Sequence, residues 1–159
     1  MNLLPELIDL VREVEGFRSK AYRCPAGVWT IGYGHTENVH EGDIITVDAA
    51  LCVLHSDLRA IAKDVKKAVK VPLDDWQLSA LISFTFNVGI GALRRSTLLI
   101  MLNNRDYTDV PEQLVLWNKA TVKGKKIVLP GLVTRRAKEV NLWLHSQKSP
   151  IGMPQSVSR

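Results

Sequence analysis

The chain has 159 residues, 46% of them hydrophobic and 23% charged, with a formal net charge of +5. That length fits one packed domain, divided at most into two lobes, and the balance of apolar and charged residues excludes a disordered chain. No apolar run approaches the roughly 18 residues of a membrane span, so stable membrane insertion is not expected.

The opening LLPELIDLVREV is greasy, but Glu6, Asp9, Arg12 and Glu13 break it more often than a secretion signal tolerates, and it is expected to stay on the mature chain. Two cysteines, Cys24 and Cys52, are too few for a disulfide scaffold, so reduced thiols are the expectation. Residues 119 to 138 hold seven Lys or Arg (Lys119, Lys123, Lys125, Lys126, Arg135, Arg136, Lys138) and no acid. Such a segment suits nucleic acid, anionic lipid or an acidic polymer such as bacterial cell wall, and equally a solvated helix face; charge alone does not choose.

In chain order, Leu3, Leu4, Leu7, Ile8, Val11 and Val14 recur at helical spacing, with Pro5 in the first turn and Gly16 after the last periodic residue. The period then changes. Tyr22, Val28, Trp29, Ile31 and Tyr33 favour strands, Pro25, Ala26 and Gly27 make a hairpin turn, and Ile44 and Ile45 can add a third short strand. Thr46 is a plausible N-cap for one long helix ending before Pro72. Asp74 or Asp75 caps a helix containing LSALISFTF, apolar almost all round and therefore central, and stopped by Gly89 and Gly91. Shorter helices are predicted from 97 to 103 and 111 to 119, a loop around Gly124, and a helix from 133 to 144 with Arg135, Arg136 and Lys138 outward. The last fourteen residues, 146–159, read as a loose tail. The fold class is α+β, mostly α: one helix, a small antiparallel sheet, then many helices.

Glu15 lies four residues after Val11 and seven after Ile8, on the apolar face of the first helix and in its last turn. Poor solvation and the negative end of the helix dipole are both expected to raise its pKa and keep a proton available for general acid catalysis. The alternative is a core-edge glutamate ion-paired to Arg18 or a later arginine. In the stretch CPAGVWTIGYGH, strand alternation places Val28, Thr30, Gly32 and Gly34 on one face, a surface a flat ligand can approach, although strand glycines can also serve a bend alone. Cys24 precedes the turn and is either a packed thiol or a second reactive group across a cleft from Glu15. GYGHTE and GIGALR lack the third glycine of a dinucleotide loop, and His35, Glu37 and His40 lack zinc-ligand spacing, so neither cofactor nor metal is expected.

A glutamate closing the first helix, a cysteine nine residues on and TIGYGH six after that, as in EGFRSKAYRCPAGVWTIGYGH, resemble the phage-type lysozymes of glycoside hydrolase family 24. QLSALISFTFNVG, STLLIMLN and PGLVTRRAKEVNLWL extend the likeness over about residues 3 to 145. The resemblance implies an endolysin hydrolysing the β-1,4 bond between N-acetylmuramic acid and N-acetylglucosamine of peptidoglycan, in a cleft between lobes joined by a long helix. It implies one catalytic domain over 1–145, with a sheet lobe at about 15–57 and a helical lobe at about 70–145 plus the first helix. Glu15 would protonate the leaving oxygen and Thr30 would help hold the attacking water. Thr36, Phe86 and Ser96 fall at sugar-contacting positions, and His35 with Asp57 at a structural ion pair. The family's aspartate is replaced by Cys24, which is expected to keep the role as base or nucleophile, with Arg23 favouring its thiolate and Glu15 opposing it. A monomer is implied, free of nucleic acid, accumulating in the host cytoplasm and reaching the wall through a holin lesion. Two other readings stand beside this one, a lytic transglycosylase and a catalytically silent wall-binding module.

Overall fold

The computed structural model describes residues 2–148; the segment 149–159, to which most of the predicted tail belongs, lies outside the described residues. Helix α1 (Pro5–Glu15) starts with proline where no amide partner is needed and ends at Gly16, whose φ of 69° breaks the helical path. Strands β1 (Arg18–Arg23) and β2 (Trp29–Gly32) form an antiparallel hairpin with Tyr22 opposite Thr30 and Arg23 opposite Trp29. The expected third strand is reduced to a single bridge between Lys20 and Ile44, flanked by backbone bonds from Ala21 to Asp43 and Ile45 to Ser19.

Thr46 caps α2 (Val47–Ala68) by accepting from the Ala49 amide. At 1.5 Å per residue its 22 residues span about 33 Å, and it packs on β2 at one end and on α3 and α4 elsewhere. Helix α3 (Asp75–Val88) starts with a capping box: Asp74 accepts from the Gln77 amide at 2.8 Å, and the Gln77 side chain accepts from the Asp74 amide at 3.1 Å. Its residues Leu78 to Thr85 are all buried, because α1, α2, α4 and α7 surround it. Around it gather Leu7, Val11, Leu54, Leu58, Leu93, Leu98, Leu102 and Trp143, all of them buried.

Several elements differ from the sequence expectation. Gly89 (φ 86°) ends α3 as predicted, but the chain restarts at once as α4 (Ile90–Arg95), with Gly91 inside it. Helix α5 (Thr97–Asn103) falls where expected; after a 3₁₀ turn, α6 (Val110–Val115) stops four residues short of its predicted end. The segment read as a loop is a second hairpin, β3 (Lys119–Val122) with β4 (Lys125–Val128). Lys123 and Gly124 both have positive φ, 48° and 78°, the geometry of a tight type I′ turn, disguised in sequence by a lysine where Asn or Asp is usual. Helix α7 (Pro130–Lys148) outruns its prediction at both ends, so residues 146–148 are helical rather than tail. Arg135 and Arg136, expected outward, are 4% and 1% exposed. Among the described residues no helix is long and apolar enough to cross a membrane.

Replacing Asp74 by Ala removes one half of the α3 capping box and strands the Gln77 amide. The expected cost is about 1 kcal/mol, read in a thermal melt as a Tm lower by roughly 3 °C.

Candidate active site

Glu15 leaves the last turn of α1 with a side chain 24% exposed, and its Oε1 accepts a hydrogen bond from Arg135 Nη1 at 2.6 Å. The carboxylate is thus at the edge of the core, as its face of the helix predicted, but it is not alone there. Of the two sequence readings, the ion-paired one describes the geometry, with Arg135 as the partner rather than Arg18.

Arg135 is itself held from three sides. Its Nη2 donates to the Ser83 carbonyl at 2.9 Å and its Nε to Glu139 Oε1 at 3.3 Å, leaving Nη1 for Glu15. Glu139 is fully buried and also accepts from Ser83 Oγ at 2.8 Å and from Arg136 Nη1. Arg136 in turn donates to the Trp117 carbonyl and to Asn87 Oδ1, with its guanidinium over the Phe84 ring. Burial pushes the Arg136 guanidinium down from its ordinary value, against the raising effect of Glu139. Such a cluster survives because every charge is paired; stripping one partner from a buried pair typically costs about 3–5 kcal/mol. The sequence reading missed it, although a signal existed. Arg135, Glu139, Leu142 and Trp143 recur at helical spacing on one face of α7, which makes the R-R-x-x-E run face inward.

Across from Glu15 the chain turns sharply after β2. Ile31 and His35 exchange both backbone hydrogen bonds, at 2.9 and 3.0 Å, so the strand alternation expected to continue through Gly34 ends at Gly32. Gly34, at φ 85°, faces the acid: a Cβ built there would stand 3.2 Å from Glu15 Oε2 and 3.4 Å from Phe86 Cε1. Gly32 serves packing instead, since its Cβ would meet the Ala50 side chain at 3.1 Å. The open platform expected around Thr30 is therefore absent. Thr30 is 4% exposed and its Oγ1 donates to the Val28 carbonyl at 3.0 Å.

The other predicted residues divide. Thr36 and Phe86 line one cleft of about 340 Å3 together with Gly34, Glu37, Asp57 and Ile61. His35 Nδ1 and Asp57 Oδ2 meet at 2.8 Å, which ties the turn to α2 as the family pattern implied. Ser96 is elsewhere: its hydroxyl is buried, accepting from the Leu99 amide at 3.1 Å and donating to the Leu93 carbonyl at 2.7 Å as the cap of α5. Cys24, a free thiol of intermediate exposure, ends the β1 side of the hairpin. Its pKa is lowered, chiefly by the Val28 amide, with partial burial opposing and the Ala26 amide, the Thr30 hydroxyl and its own amide assisting. Arg23, expected to favour the thiolate, is instead engaged by the Gly27 carbonyl at 3.1 Å and the Trp29 ring.

The half-buried Glu15 carboxyl stands against the glycine turn beside this cleft, an arrangement that suits a glycoside hydrolase of the lysozyme type. Residues 12–139 match the phage lysozyme family model. The endolysin of Acyrthosiphon pisum secondary endosymbiont phage 1 is 41% identical over 143 residues, covering 90% of this chain and 98% of that one. The endolysin of Bacillus phage B103 is 36% identical over 98% of this chain, which spans 59% of that longer protein. The muramidase domain of SpmX from Asticaccaulis excentricus superposes with a TM-score of 0.84 at 36% identity, over 90% of this chain and 97% of that one. The chain belongs to the phage lysozyme family. It is an endolysin, a muramidase that degrades peptidoglycan in host lysis.

Gly34→Ala places a methyl group against Glu15 and Phe86 and forces alanine into a left-handed conformation. Lysis of purified walls should slow about tenfold or more, because displacing a reacting group by even 1 Å can cost about a hundredfold. A thermal melt should show a Tm loss of only a few degrees.

Proposed function

We propose that the enzyme cleaves the β-1,4 bond between N-acetylmuramic acid and N-acetylglucosamine, with Glu15 protonating the leaving oxygen. The observation that carries this reading is the position of Glu15: one oxygen is held by Arg135, and the other faces the bare backbone of Gly34 at the cleft. Thr36 and Phe86, in the same cleft, take the sugar-contacting roles. Ser96 has no part in this scheme, since both its hydrogen bonds are spent on α5.

Cys24 and Thr30 handle the attacking water from the hairpin. A neutral thiol is a poor substitute for the family's aspartate, but a thiolate is a base, and the amides and hydroxyl that lower Cys24 favour that form. Thr30, whose hydroxyl hydrogen is directed to the Val28 carbonyl, acts on the water through its oxygen as an acceptor. The catalytic unit is residues 1–145 as a monomer that accumulates in the host cytoplasm and reaches the wall through a holin lesion, without binding nucleic acid. Of the seven cations in 119–138, two are buried and Lys138 is paired with Glu13 at 2.7 Å. The four lysines left, all exposed on the β3–β4 hairpin, steer the enzyme to the anionic wall.

Turbidity clearing of purified walls tests the assignments. Glu15→Gln should lose about two to four orders of magnitude in rate, and Cys24→Asp should remain active while Cys24→Ser falls. Alkylation of Cys24 should proceed at lower pH than for an ordinary thiol and abolish lysis; full activity after complete alkylation removes sulfur from the mechanism.

Lysis should also slow as salt rises, since exposed charges are screened over about 8 to 10 Å at 0.1 to 0.15 M ionic strength. The double change Lys125→Glu, Lys126→Glu should flatten that dependence; an unchanged slope would place the steering charge elsewhere.

A further inference from the structure

We propose that Glu139 is a positioning residue of the hydrolysis: through Arg135 it fixes where the Glu15 carboxyl stands and how much positive charge faces it. The inference rests on the reading of Glu15 as the acid. Glu139 is 0% exposed and makes no contact with Glu15; Arg135 lies between them and serves both. A guanidinium is a rigid planar fork, so gripping two of its nitrogens aims the third. Glu139 Oε1 takes Nε at 3.3 Å and the Ser83 carbonyl takes Nη2 at 2.9 Å, which leaves Nη1 pointing at Glu15 Oε1, 2.6 Å away. Ser83 Oγ, bonded to Glu139 Oε1 at 2.8 Å, locks the carboxylate that does the gripping.

The charges close as well. Arg135 and Arg136 oppose Glu15 and Glu139, two against two, in a space where water screens little. Among the described residues, the other groups beside it are neutral or paired. On α1, Glu13 is taken by Lys138 of α7; α3 presents Ser83 and Asn87, which do not titrate; and His35 beside Gly34 is bound to Asp57. Without the Glu139 charge, two buried cations would face one carboxylate. Glu15 would hold its ionised form more firmly, and the protonated form needed to protonate the leaving oxygen would be scarcer at neutral pH.

The test is Glu139→Gln, of the same shape without the charge, assayed on solubilised wall fragments from pH 5 to 9, with rates normalised to folded protein. The expected result is kcat lower by about tenfold at pH 7, KM within about twofold, and the alkaline limb of the profile displaced about one unit toward acid. Glu139→Asp, which restores the charge, should recover part of both. A wild-type profile and kcat per folded molecule, with only the Tm lowered, would make Glu139 purely structural and overturn the proposal. If Glu139→Gln does not fold, Ser83→Ala loosens the same carboxylate by one hydrogen bond. It leaves the Glu139 charge in place, so the limb should stay while kcat per folded molecule falls by a smaller factor with KM unchanged, and an unchanged kcat is equally fatal. Glu15→Gln, run alongside, separates the two ideas. An active Glu15→Gln enzyme defeats the acid assignment itself, whereas an inactive one beside a wild-type-like Glu139→Gln defeats only the role of Glu139.

Discussion

The Arg135 guanidinium joins parts of the chain that are 120 positions apart: it bonds Glu15 at the end of α1, the Ser83 carbonyl in the middle of α3, and Glu139 one turn along α7. A buried guanidinium is tolerated only when its donors are bonded and its charge is met. That requirement holds the first, central and last helices in one arrangement at the site. A half-buried carboxyl without such a partner would have to turn outward or lose its charge; with it, Glu15 stays at the cleft edge.

The turn against which Glu15 rests is built from backbone rather than from charge. The chain reverses between Ile31 and His35 through two glycines of positive φ, and each also avoids a collision, Gly32 with Ala50 and Gly34 with Glu15 and Phe86. The His35 to Asp57 pair then fastens this turn to α2, the helix that runs from the hairpin to the helical cluster. The cleft is therefore lined by this turn, by α2 and by Phe86 of α3, with the ion-paired Glu15 held against its glycine corner.

Much of this was legible in advance. Thr46 and Asp74 as caps, Gly16 and Gly89 as stops, and the apolar α3 follow from local rules that need no tertiary knowledge. The errors have equally local causes. The turn at Lys123 and Gly124 lacks the usual Asn or Asp and so reads as a loop, although four cross-strand pairs form around it. Arg135 and Arg136 read as outward because charged residues usually are, and it is the gathering of Glu15, Ser83, Asn87, Trp117 and Glu139 around them that stabilises an inward position. For Ser96 the pattern located a serine without revealing that its hydroxyl is consumed by a helix start.

The sequence by itself determined most of the elements, the central helix, the family, and which carboxylate closes the first helix, since periodicity, caps and motif spacing are properties of neighbouring residues. Tertiary structure alone decided that Glu15 is paired, that Gly34 stands against it, and that Thr30 is buried with its hydroxyl turned toward backbone and sulfur. Ion pairs and close contacts depend on distances between distant segments, and those distances exist only after the helices have packed.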